Sequence, residues 1–465
     1  MRKLEEKCAV FGAYGVDFEA ARLAFFGLYT LQHRGQEGSG IVTSDGHRLH
    51  AHRQAGLVNQ VYTEEIIHGL PGHIGIGHNR YSTSKGSDSE HLQPVIGRDR
   101  SVALAHNGNL PSTVALEKFL KKHGIATQNC NDSELMTEAI KYYLTHGKSL
   151  PNAVAAAFPL FTGAFSLVIM TTDTLVAVRD SKGIRPLCLG KLNGGYIVAS
   201  ETCALDTVHA TFIREILPGE MIIINEKGLK SRTLAEPDQK LDIFEFIYFS
   251  RPDSHLLGKS VDAVRREMGA QLARETSIKA DLVVPVPDSG VSAAQGFSET
   301  SGIPYYTAIV KNRYIGRSFI APEQHMRDWM VRMKLNPIRE AVEGKRVILI
   351  DDSIVRGTTS PSIVGLLKEA GAKEVHFLSS SPPYRYPDFY GMDVPHQDKL
   401  IAFDKSNEEI RSFLGADSLH YLTYKGLIKA TCLPESMFCT SCFSGVYPID
   451  ILERAKDVRV PKKWK

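Results

Sequence analysis

Short apolar runs separated by polar turns fill the first half of the chain and predict β-strands. Apolar residues at three- and four-residue spacing predict two helices in the same half, over Ala20–Leu31 and Asp132–Leu144. We therefore expect many strands and few helices before about residue 230. The strand-like runs are Phe165–Met170, Leu175–Val178, Tyr196–Ala199 and Met221–Ile224.

The second half alternates between strand-like and helix-like patterns, which predicts a parallel sheet covered by helices. A polar stretch that contains a proline and has little periodicity, Gly228–Lys240, precedes it and is predicted to link the halves. The strand-like segments are Leu282–Val286, Tyr305–Val310, Val347–Ile350 and Val375–Leu378, and a helix is expected near Val291–Thr300.

Composition narrows the classes of protein to consider. At 465 residues the chain is too long for one ordinary core, so about two domains are expected. The formal net charge of +3 gives no argument for nucleic acid or an anionic membrane as a partner. No apolar run approaches about 18 residues, and the first residues lack an apolar signal region, so no membrane span or secretory signal is predicted. Seven cysteines without a disulfide-scaffold spacing indicate a reducing compartment, and we expect the cytoplasm.

The segment 346–360 combines the features of a phosphate site. A strand-like run buried on both faces is followed directly by the carboxylates of Asp351 and Asp352, and then by a loop of small and hydroxyl residues. A helix pattern comes next and stops at Gly371. Backbone N–H groups at a helix start can surround a phosphate, and paired carboxylates can accept hydrogen bonds from ribose hydroxyls. The loop residues concerned are Arg356, Gly357, Thr358 and Thr359.

An ordinary βα turn with an acidic N-cap is the alternative for this segment, whereas an ATPase site lacks its GxxxxGK[ST] lysine. The segment resembles the signature of type I phosphoribosyltransferases, which bind phosphoribosyl pyrophosphate (PRPP). The resemblance implies a second loop, 284–290, in which Asp288 and Ser289 approach the pyrophosphate. It also implies a Mg²⁺ ion that is bound with PRPP near Ser289, Asp351 and Asp352, although Mg²⁺ usually takes few protein ligands.

Basic residues frame the stretch between these two loops. Lys311, Arg332 and Lys334 carry the charge that the leaving pyrophosphate would require. The ordinary interpretation is a solvated charged loop. We favour a lid that closes on PRPP and excludes water.

Cys8 lies at the start of a strand-like run, where most cysteines are small buried hydrophobic residues. The polar segments that follow it resemble, in their order, the class II glutamine amidotransferases of the N-terminal-nucleophile (Ntn) hydrolase class. That resemblance implies an N-terminal αββα sandwich. The matching segments are 32–40, 77–83, 105–110 and 131–134.

The same resemblance assigns roles to residues of this half. Cys8 is the nucleophile, with its own free α-amino group as the base, so Met1–Lys7 is expected to be a propeptide that is removed. Asn107 and the N–H of Gly108 form the oxyanion hole, although an Asn-Gly pair is also typical of a tight turn. The expected glutamine ligands are Arg34 in the turn that shapes the pocket, Arg80 at the α-carboxylate and Asp132 at the α-ammonium.

Together the halves resemble the PRPP amidotransferases of purine synthesis, from Cys8 to about Tyr447, with 247–254 as a further matching segment. This implies a glutaminase domain over 8–236 and a phosphoribosyltransferase domain with a C-terminal segment over 237–465. It also implies a homodimer or homotetramer that purine nucleotides inhibit. Amidotransferases that make glucosamine phosphate or asparagine lack the Asp351–Asp352 loop. A non-catalytic PRPP or nucleotide sensor is the alternative from another class.

Many members of that family hold a [4Fe–4S] cluster on four cysteines. Here Cys439 and Cys442 are present, but the other two ligand positions fall at Asp242 and Asp388. Because carboxylates are harder donors than thiolates, we favour a chain without a cluster over one with a mixed-ligand cluster. A Zn²⁺ site is the third alternative. The remaining cysteines are interpreted as packing residues: Cys130, Cys188, Cys203 and Cys432.

Overall fold

A computed structural model describes residues 8–80, 91–314, 332–391, 394 and 396–460. The expected propeptide, the end of the 77–83 segment, and residues 315–331 between the basic residues lie outside the described residues.

Two stacked antiparallel sheets form the N-terminal half. In spatial order the larger sheet consists of Thr211–Glu215, Cys188–Leu192, Gly195–Ala199, Ala9–Tyr14, Ile74–Arg80, Gly38–Ser44 and Leu49–Ala55. The smaller sheet consists of Gly228–Thr233, Glu220–Asn225, Leu175–Arg179, Thr162–Met170, Ala103–Ser112 and Val95–Ile96.

Helices cover the outer face of each sheet, so the layers run α, β, β, α. Apolar residues between the sheets, such as Val10, Ala105 and Val168, are completely buried, and separate apolar clusters lie under each helical layer. The expected αββα sandwich is confirmed. Ala20–Thr30, Val58–Val61, Glu64–His68 and Thr202–Thr207 cover the larger sheet, and Val114–Lys122, Asp132–Thr145 and Leu150–Ala157 cover the smaller one.

The predicted linker was wrong over its first part. Gly228–Thr233 is a strand that pairs antiparallel with Glu220–Asn225 at the edge of the smaller sheet. Its side chains are mostly exposed, and an exposed edge strand carries polar residues without the apolar alternation that marks a half-buried strand. The connection that remains is 234–240. The domain boundary at 236/237 stays a prediction.

The C-terminal half is built on a parallel sheet with helices on both faces, as predicted. Its strands are, in spatial order, Leu282–Pro285, Arg346–Asp351, Glu374–Ser379 and Ser418–Tyr421. Val261–Glu275, Val291–Ser301 and Tyr424–Thr431 cover one face, and Ser360–Glu369 and Asn407–Leu414 cover the other. Shorter helices are Arg339–Val342, Ile401–Asp404 and Ser441–Ser444.

The predicted strand Tyr305–Val310 has a different course. Tyr305 makes one parallel bridge with Val283 at the edge of the sheet, and the chain then turns away. Ile309–Lys311 pairs instead with Leu335–Pro337 in a separate antiparallel ribbon. The apolar run is therefore divided between an edge contact and the ribbon that carries Lys311.

The halves share an apolar contact. Ala164 and Ile184 from the N-terminal half pack with Phe389, Tyr390 and Cys439 from the C-terminal half. Among the described residues, every helix is too short or too polar to cross a membrane.

Candidate active sites

Cys8 stands at the end of a central strand of the larger sheet. It immediately precedes Ala9–Tyr14, and Ala9 lies opposite Asn79 of the neighbouring strand. Continuing that antiparallel register by one residue brings Cys8 level with Arg80. Ser200 fixes this strand end, because its Oγ accepts a 2.9 Å hydrogen bond from the N–H of Val10. The structure therefore brings the predicted nucleophile and the predicted carboxylate ligand to one edge.

Asn107 and Gly108 lie within the strand Ala103–Ser112, so the tight-turn alternative is wrong. Gly108 has a φ of +145°, and a Cβ there would lie 2.1 Å from the carbonyl oxygen of Ala164. Only glycine fits this position. The side chain of Asn107 is 2% exposed, and its Nδ2 has no hydrogen-bond acceptor among the described residues. A buried donor that is left open suits an anion that forms during reaction.

Asp132 is the first residue of the helix Asp132–Thr145, which Asn131 and Glu134 cap reciprocally. Its Oδ1 accepts a 2.7 Å hydrogen bond from the N–H of Ser133, and its Oδ2 accepts one of 3.2 Å from the N–H of Leu110. His106 Nδ1 lies 3.7 Å from Oδ2. Burial lowers the pKa of His106, while Asp132 opposes that shift. The carboxylate is thus held at the edge near Asn107 and Gly108.

Arg34 lies in the short 3₁₀ turn Gln32–Arg34, and its side chain is completely buried. Its guanidinium forms ion pairs with Glu201 and Glu245, which sequence reasoning missed. Burial opposes the charge, but the two glutamates hold the pKa of Arg34 above its ordinary value. One signal was available, because Glu245 is a lone carboxylate inside the apolar run 243–247.

The two predicted phosphate loops meet at the carboxyl ends of adjacent parallel strands, Leu282–Pro285 and Arg346–Asp351. Their contact requires Gly290, where a Cβ would lie 2.3 Å from the carbonyl oxygen of Ile350. The carboxylate of Asp352 is buried and accepts a hydrogen bond from the Ser353 hydroxyl.

The rest of the loop has the features of an anion site. Gly357 adopts a φ of +66°, and the ten-residue helix Ser360–Glu369 begins after Thr359. The open N–H groups of that first turn and the positive end of the helix dipole therefore point toward the loop.

The predicted lid residues lie in different places. Lys311 forms a 2.6 Å ion pair with Asp288 of the first phosphate loop. Arg332 instead pairs at 2.7 Å with Glu369, the last residue of the helix whose first turn faces the phosphate loop. At 1.5 Å per residue, the two ends of that helix are roughly 14 Å apart. The backbone carbonyl of Lys334 accepts the N–H of Asn312. The structure thus brings Lys311 to the site and holds Arg332 away from it.

Two family profiles match parts of the chain. Residues 78–207 match the glutamine amidotransferase domain, and residues 258–381 match the phosphoribosyl transferase domain. Curated amidophosphoribosyltransferases align along almost the whole chain. That of Synechococcus elongatus is 49% identical and covers 97% of this chain and 93% of its own length, and that of Bacillus subtilis is 44% identical with 97% and 96% covered.

The chain belongs to the amidophosphoribosyltransferase family. A solved structure of the glutamine PRPP amidotransferase of B. subtilis, complexed with ADP and GMP, is similar with a TM-score of 0.89 at 43% identity. The alignment covers 98% of this chain and 99% of the B. subtilis chain. A second structure, described as the allosteric regulatory enzyme of purine biosynthesis, has a TM-score of 0.90 at 43% identity and covers 98% of each chain.

The four positions that the resemblance gave as possible cluster ligands, Asp242, Asp388, Cys439 and Cys442, converge in the core. Leu241–Asp242 pairs in parallel with Phe438–Cys439. The side chains at the four candidate cluster positions are all buried. Asp242 Oδ2 lies 3.2 Å from Nη1 of Arg185, and its Oδ1 accepts a 3.0 Å hydrogen bond from the N–H of Phe244. Asp388 Oδ1 accepts the N–H of Tyr390 at 2.8 Å. Carboxylates are hard oxygen donors and do not fit two thiolate positions of a [4Fe–4S] cluster.

Within the described residues, no three His, Cys, Asp or Glu side chains are arranged to hold a metal ion. Burial raises the pKa of the Cys439 and Cys442 thiols, and Asp242 and Asp388 add to the effect. The packing assignment of the other cysteines holds for Cys188 and Cys203, which are buried, and Cys130 is half-buried. It was wrong for Cys432, which is exposed at the left-handed C-cap of Tyr424–Thr431.

Proposed function

We propose that this chain is an amidophosphoribosyltransferase that hydrolyses glutamine and transfers the ammonia to PRPP. The products are glutamate, 5-phosphoribosylamine and pyrophosphate, which makes this the first committed step of de novo purine synthesis. One observation carries the proposal: a strand-end cysteine with an open buried amide donor, and an acidic phosphate loop, occur in one chain that aligns with this family along almost its whole length.

In the glutaminase half, the Cys8 thiolate attacks the side-chain amide carbon of glutamine. The negative charge that develops on the amide oxygen is stabilised by Asn107 and by the N–H of Gly108, each worth about 3 kcal/mol. Ammonia leaves, and water then releases glutamate from the thioester. Arg80 binds the α-carboxylate and Asp132 the α-ammonium of the substrate.

A free α-amino group on Cys8 would serve as the base, because its pKa of about 7.7–8.0 suits proton transfer near neutrality. This requires removal of Met1–Lys7. Intact mass and N-terminal sequencing of the active enzyme test the point. An active protein that retains those residues would contradict it.

In the second half, ammonia attacks C1 of PRPP and pyrophosphate leaves. We assign Asp351 and Asp352 to the ribose hydroxyls and the loop 356–359 to the 5-phosphate. The remaining PRPP ligands are Asp288, Ser289, Lys311 and Lys334, and Arg332 joins them once it leaves Glu369. Ser289, Asp351 and Asp352 offer oxygen donors that would hold a Mg²⁺ ion brought with PRPP, and such an ion would offset the charge of the leaving pyrophosphate.

Three finer assignments complete the proposal. The chain works without an iron–sulfur cluster, which iron and sulfide analysis of anaerobically purified protein tests. Purine nucleotides inhibit it, since the similar B. subtilis structure was solved with ADP and GMP. It forms a homodimer or homotetramer in the cytoplasm, and light scattering after size exclusion distinguishes the two assemblies.

The deciding experiment combines glutamine, PRPP and Mg²⁺ and follows glutamate and pyrophosphate together. Equal amounts of both products are expected. Cys8→Ser should abolish the glutamine-dependent reaction and retain the reaction with free ammonia, whereas Asp352→Ala should abolish pyrophosphate release with either nitrogen source. Glutamate release by Cys8→Ser at the wild-type rate would contradict the assignment, and so would pyrophosphate release by Asp352→Ala at the wild-type rate.

A further inference from the structure

Glu245 is a completely buried carboxylate that joins arginines from two separate segments of the N-terminal half. Its Oε2 accepts a hydrogen bond from Nη2 of Arg34 and one of 2.7 Å from the Ser250 hydroxyl. Its Oε1 lies 3.2 Å from Nη1 of Arg185. Burial opposes its charge, but Arg34 and Arg185 together hold the pKa of Glu245 below its ordinary value.

The segment that carries Glu245 is fixed from the phosphoribosyltransferase side. Glu245 opens the π-helical turn Glu245–Phe249. Arg265, from the helix Val261–Glu275, donates from Nε to the carbonyl oxygen of Phe246 at 2.6 Å and from Nη2 to that of Ser250 at 2.8 Å. The carboxylate therefore has a fixed position relative to the C-terminal half.

Arg34 is connected to Arg80 through the turn that follows it in the chain. The next residue, Gly35, packs so closely on the neighbouring strand that a Cβ would lie 2.7 Å from the carbonyl carbon of Asn79 and 2.8 Å from that of Arg80. The N–H of Glu37 donates a 3.1 Å hydrogen bond to the carbonyl oxygen of Arg80. A shift of the turn at 34–37 would therefore move the backbone of Arg80.

We propose that Glu245 is a positioning residue for glutamine: by holding Arg34 it fixes the turn that sets the backbone of Arg80, the ligand of the glutamine α-carboxylate. In this proposal Arg34 supports the backbone of the glutamine pocket and does not contact the substrate. The inference rests on the proposed function, because that function assigns Arg80 to the substrate. Glu201 also pairs with Arg34, so loss of Glu245 alone leaves this arginine with one buried carboxylate.

The test is Glu245→Gln, which preserves shape and removes the charge. We expect the KM for glutamine to rise about tenfold, since small displacements of a binding group have large effects. The turnover and the KM for PRPP with free ammonia should stay within about twofold of wild type. Glu220→Gln is the matched control, because Glu220 is also buried and paired with an arginine, Arg214, but lies away from the turn. It should leave the KM for glutamine unchanged.

A milder variant and a double variant complete the design. Ser250→Ala keeps every charge but removes a hydroxyl that bonds both Glu245 and Arg34, and should raise the KM for glutamine about threefold even if Glu245→Gln does not fold. Because Glu245 acts through Arg34, the double variant Arg34→Met with Glu245→Gln should be no worse than Arg34→Met alone.

Three outcomes would overturn the inference: an unchanged KM for glutamine in folded Glu245→Gln or in Ser250→Ala, additive effects in the double variant, or an equal loss of ammonia-dependent synthesis. The function itself is judged separately, on the wild-type products.

Discussion

The side chain of Asn109 donates a 2.8 Å hydrogen bond from Nδ2 to the carbonyl oxygen of Phe389, which belongs to the opposite half of the chain. Asn109 follows Asn107 and Gly108 in the same strand. Phe389 packs in the apolar contact between the halves and directly follows Asp388. The strand that carries the proposed oxyanion donors is therefore tied to the C-terminal segment.

Replacing Asn109 with alanine should affect both stability and glutamine hydrolysis. The variant leaves the Phe389 carbonyl without its donor, so the free energy of unfolding should fall by about 1–2 kcal/mol. Glutamine-dependent turnover should fall several-fold more than ammonia-dependent turnover, because the strand end is released near Gly108. Urea denaturation and steady-state kinetics measure the two effects. Asn152→Ala, which removes an exposed hydrogen bond to Arg232 in the same half, should show neither, and equal behaviour of the two variants would refute the prediction.

The open Nδ2 of Asn107 gives a second prediction. Asn107→Ala should lower kcat for glutamine hydrolysis by about 10²–10³, since an oxyanion donor acts mainly in the transition state. The KM for glutamine and the ammonia-dependent reaction should change little. Single-turnover release of glutamate measures the chemical step directly. A rise in KM with kcat preserved would instead assign Asn107 to ground-state binding.

The parallel sheet could be predicted from the sequence because its central strand has a local signature, whereas the sandwich was expected from the resemblance of the N-terminal segments to a known class, and the phosphate role of the loop stays a prediction. Val347–Ile350 is apolar throughout, since a central parallel strand is buried on both faces. The strand Gly228–Thr233 has no such signature, because it lies exposed at a sheet edge and its identity depends on pairing with Glu220–Asn225. Local pattern alone cannot reveal a strand of this kind.

The buried ion pairs are the part of the site that sequence could not supply. Arg34 and Glu245 are 211 positions apart, and nothing local to either residue indicates the other. Arg332 shows the converse difficulty, since its charge suits pyrophosphate but its partner in the structure is Glu369. Residue type indicated which chemistry is present, whereas the position of each group depended on the tertiary fold.

Gly290 provides a third prediction. A methyl group at this position would meet the carbonyl oxygen of Ile350 and push the two phosphate loops apart. Gly290→Ala should raise the KM for PRPP at least about tenfold with either nitrogen source, because a displaced ligand shell loses much of its binding. Gly365→Ala is the matched control, since no atom lies within 4 Å of a Cβ there. Replacing this helical glycine with alanine should raise the free energy of unfolding by about 0.5–1 kcal/mol and leave the kinetics unchanged. An unchanged KM in Gly290→Ala would show that the loops tolerate separation.

The ion pair between Arg332 and Glu369 competes with any role of Arg332 at the pyrophosphate. Both side chains are about half exposed, so the pair contributes at most about 1 kcal/mol. Glu369→Gln should therefore lower the KM for PRPP by up to about fivefold. Glu299→Gln, which removes a similar exposed pair with Arg266, should leave this KM unchanged. A KM for PRPP in Glu369→Gln equal to or above that of wild type would exclude competition.

His78 is the basis of a prediction about pH. It is completely buried in the strand Ile74–Arg80, and its Nε2 lies 3.1 Å from the carbonyl oxygen of His106, so Nε2 carries the proton of a neutral ring. Burial lowers the pKa of His78 to about 3, with smaller contributions from the charges of His106 and Arg80, while the hydrogen bond with the His106 carbonyl opposes the shift. The unfolded chain, where the ordinary value is about 6.5, therefore binds more protons than the native protein between these two values.

Because the unfolded state takes up the proton, His78 makes the protein progressively less stable as the pH falls below about 6.5. Between pH 7 and pH 5 this imidazole should lower the free energy of unfolding by roughly 2 kcal/mol. His78→Gln retains a donor toward the His106 carbonyl and does not titrate. Its unfolding free energy, measured in urea at both pH values, should fall less than that of wild type by about that amount. His68→Gln, which replaces a surface imidazole with 75% side-chain exposure, should keep the wild-type pH dependence. If His78→Gln and His68→Gln lost equal stability on acidification, the native protein would have to accommodate a charged imidazole at position 78. The hydrogen bond from this ring to the His106 carbonyl would not by itself explain how such a buried charge is compensated.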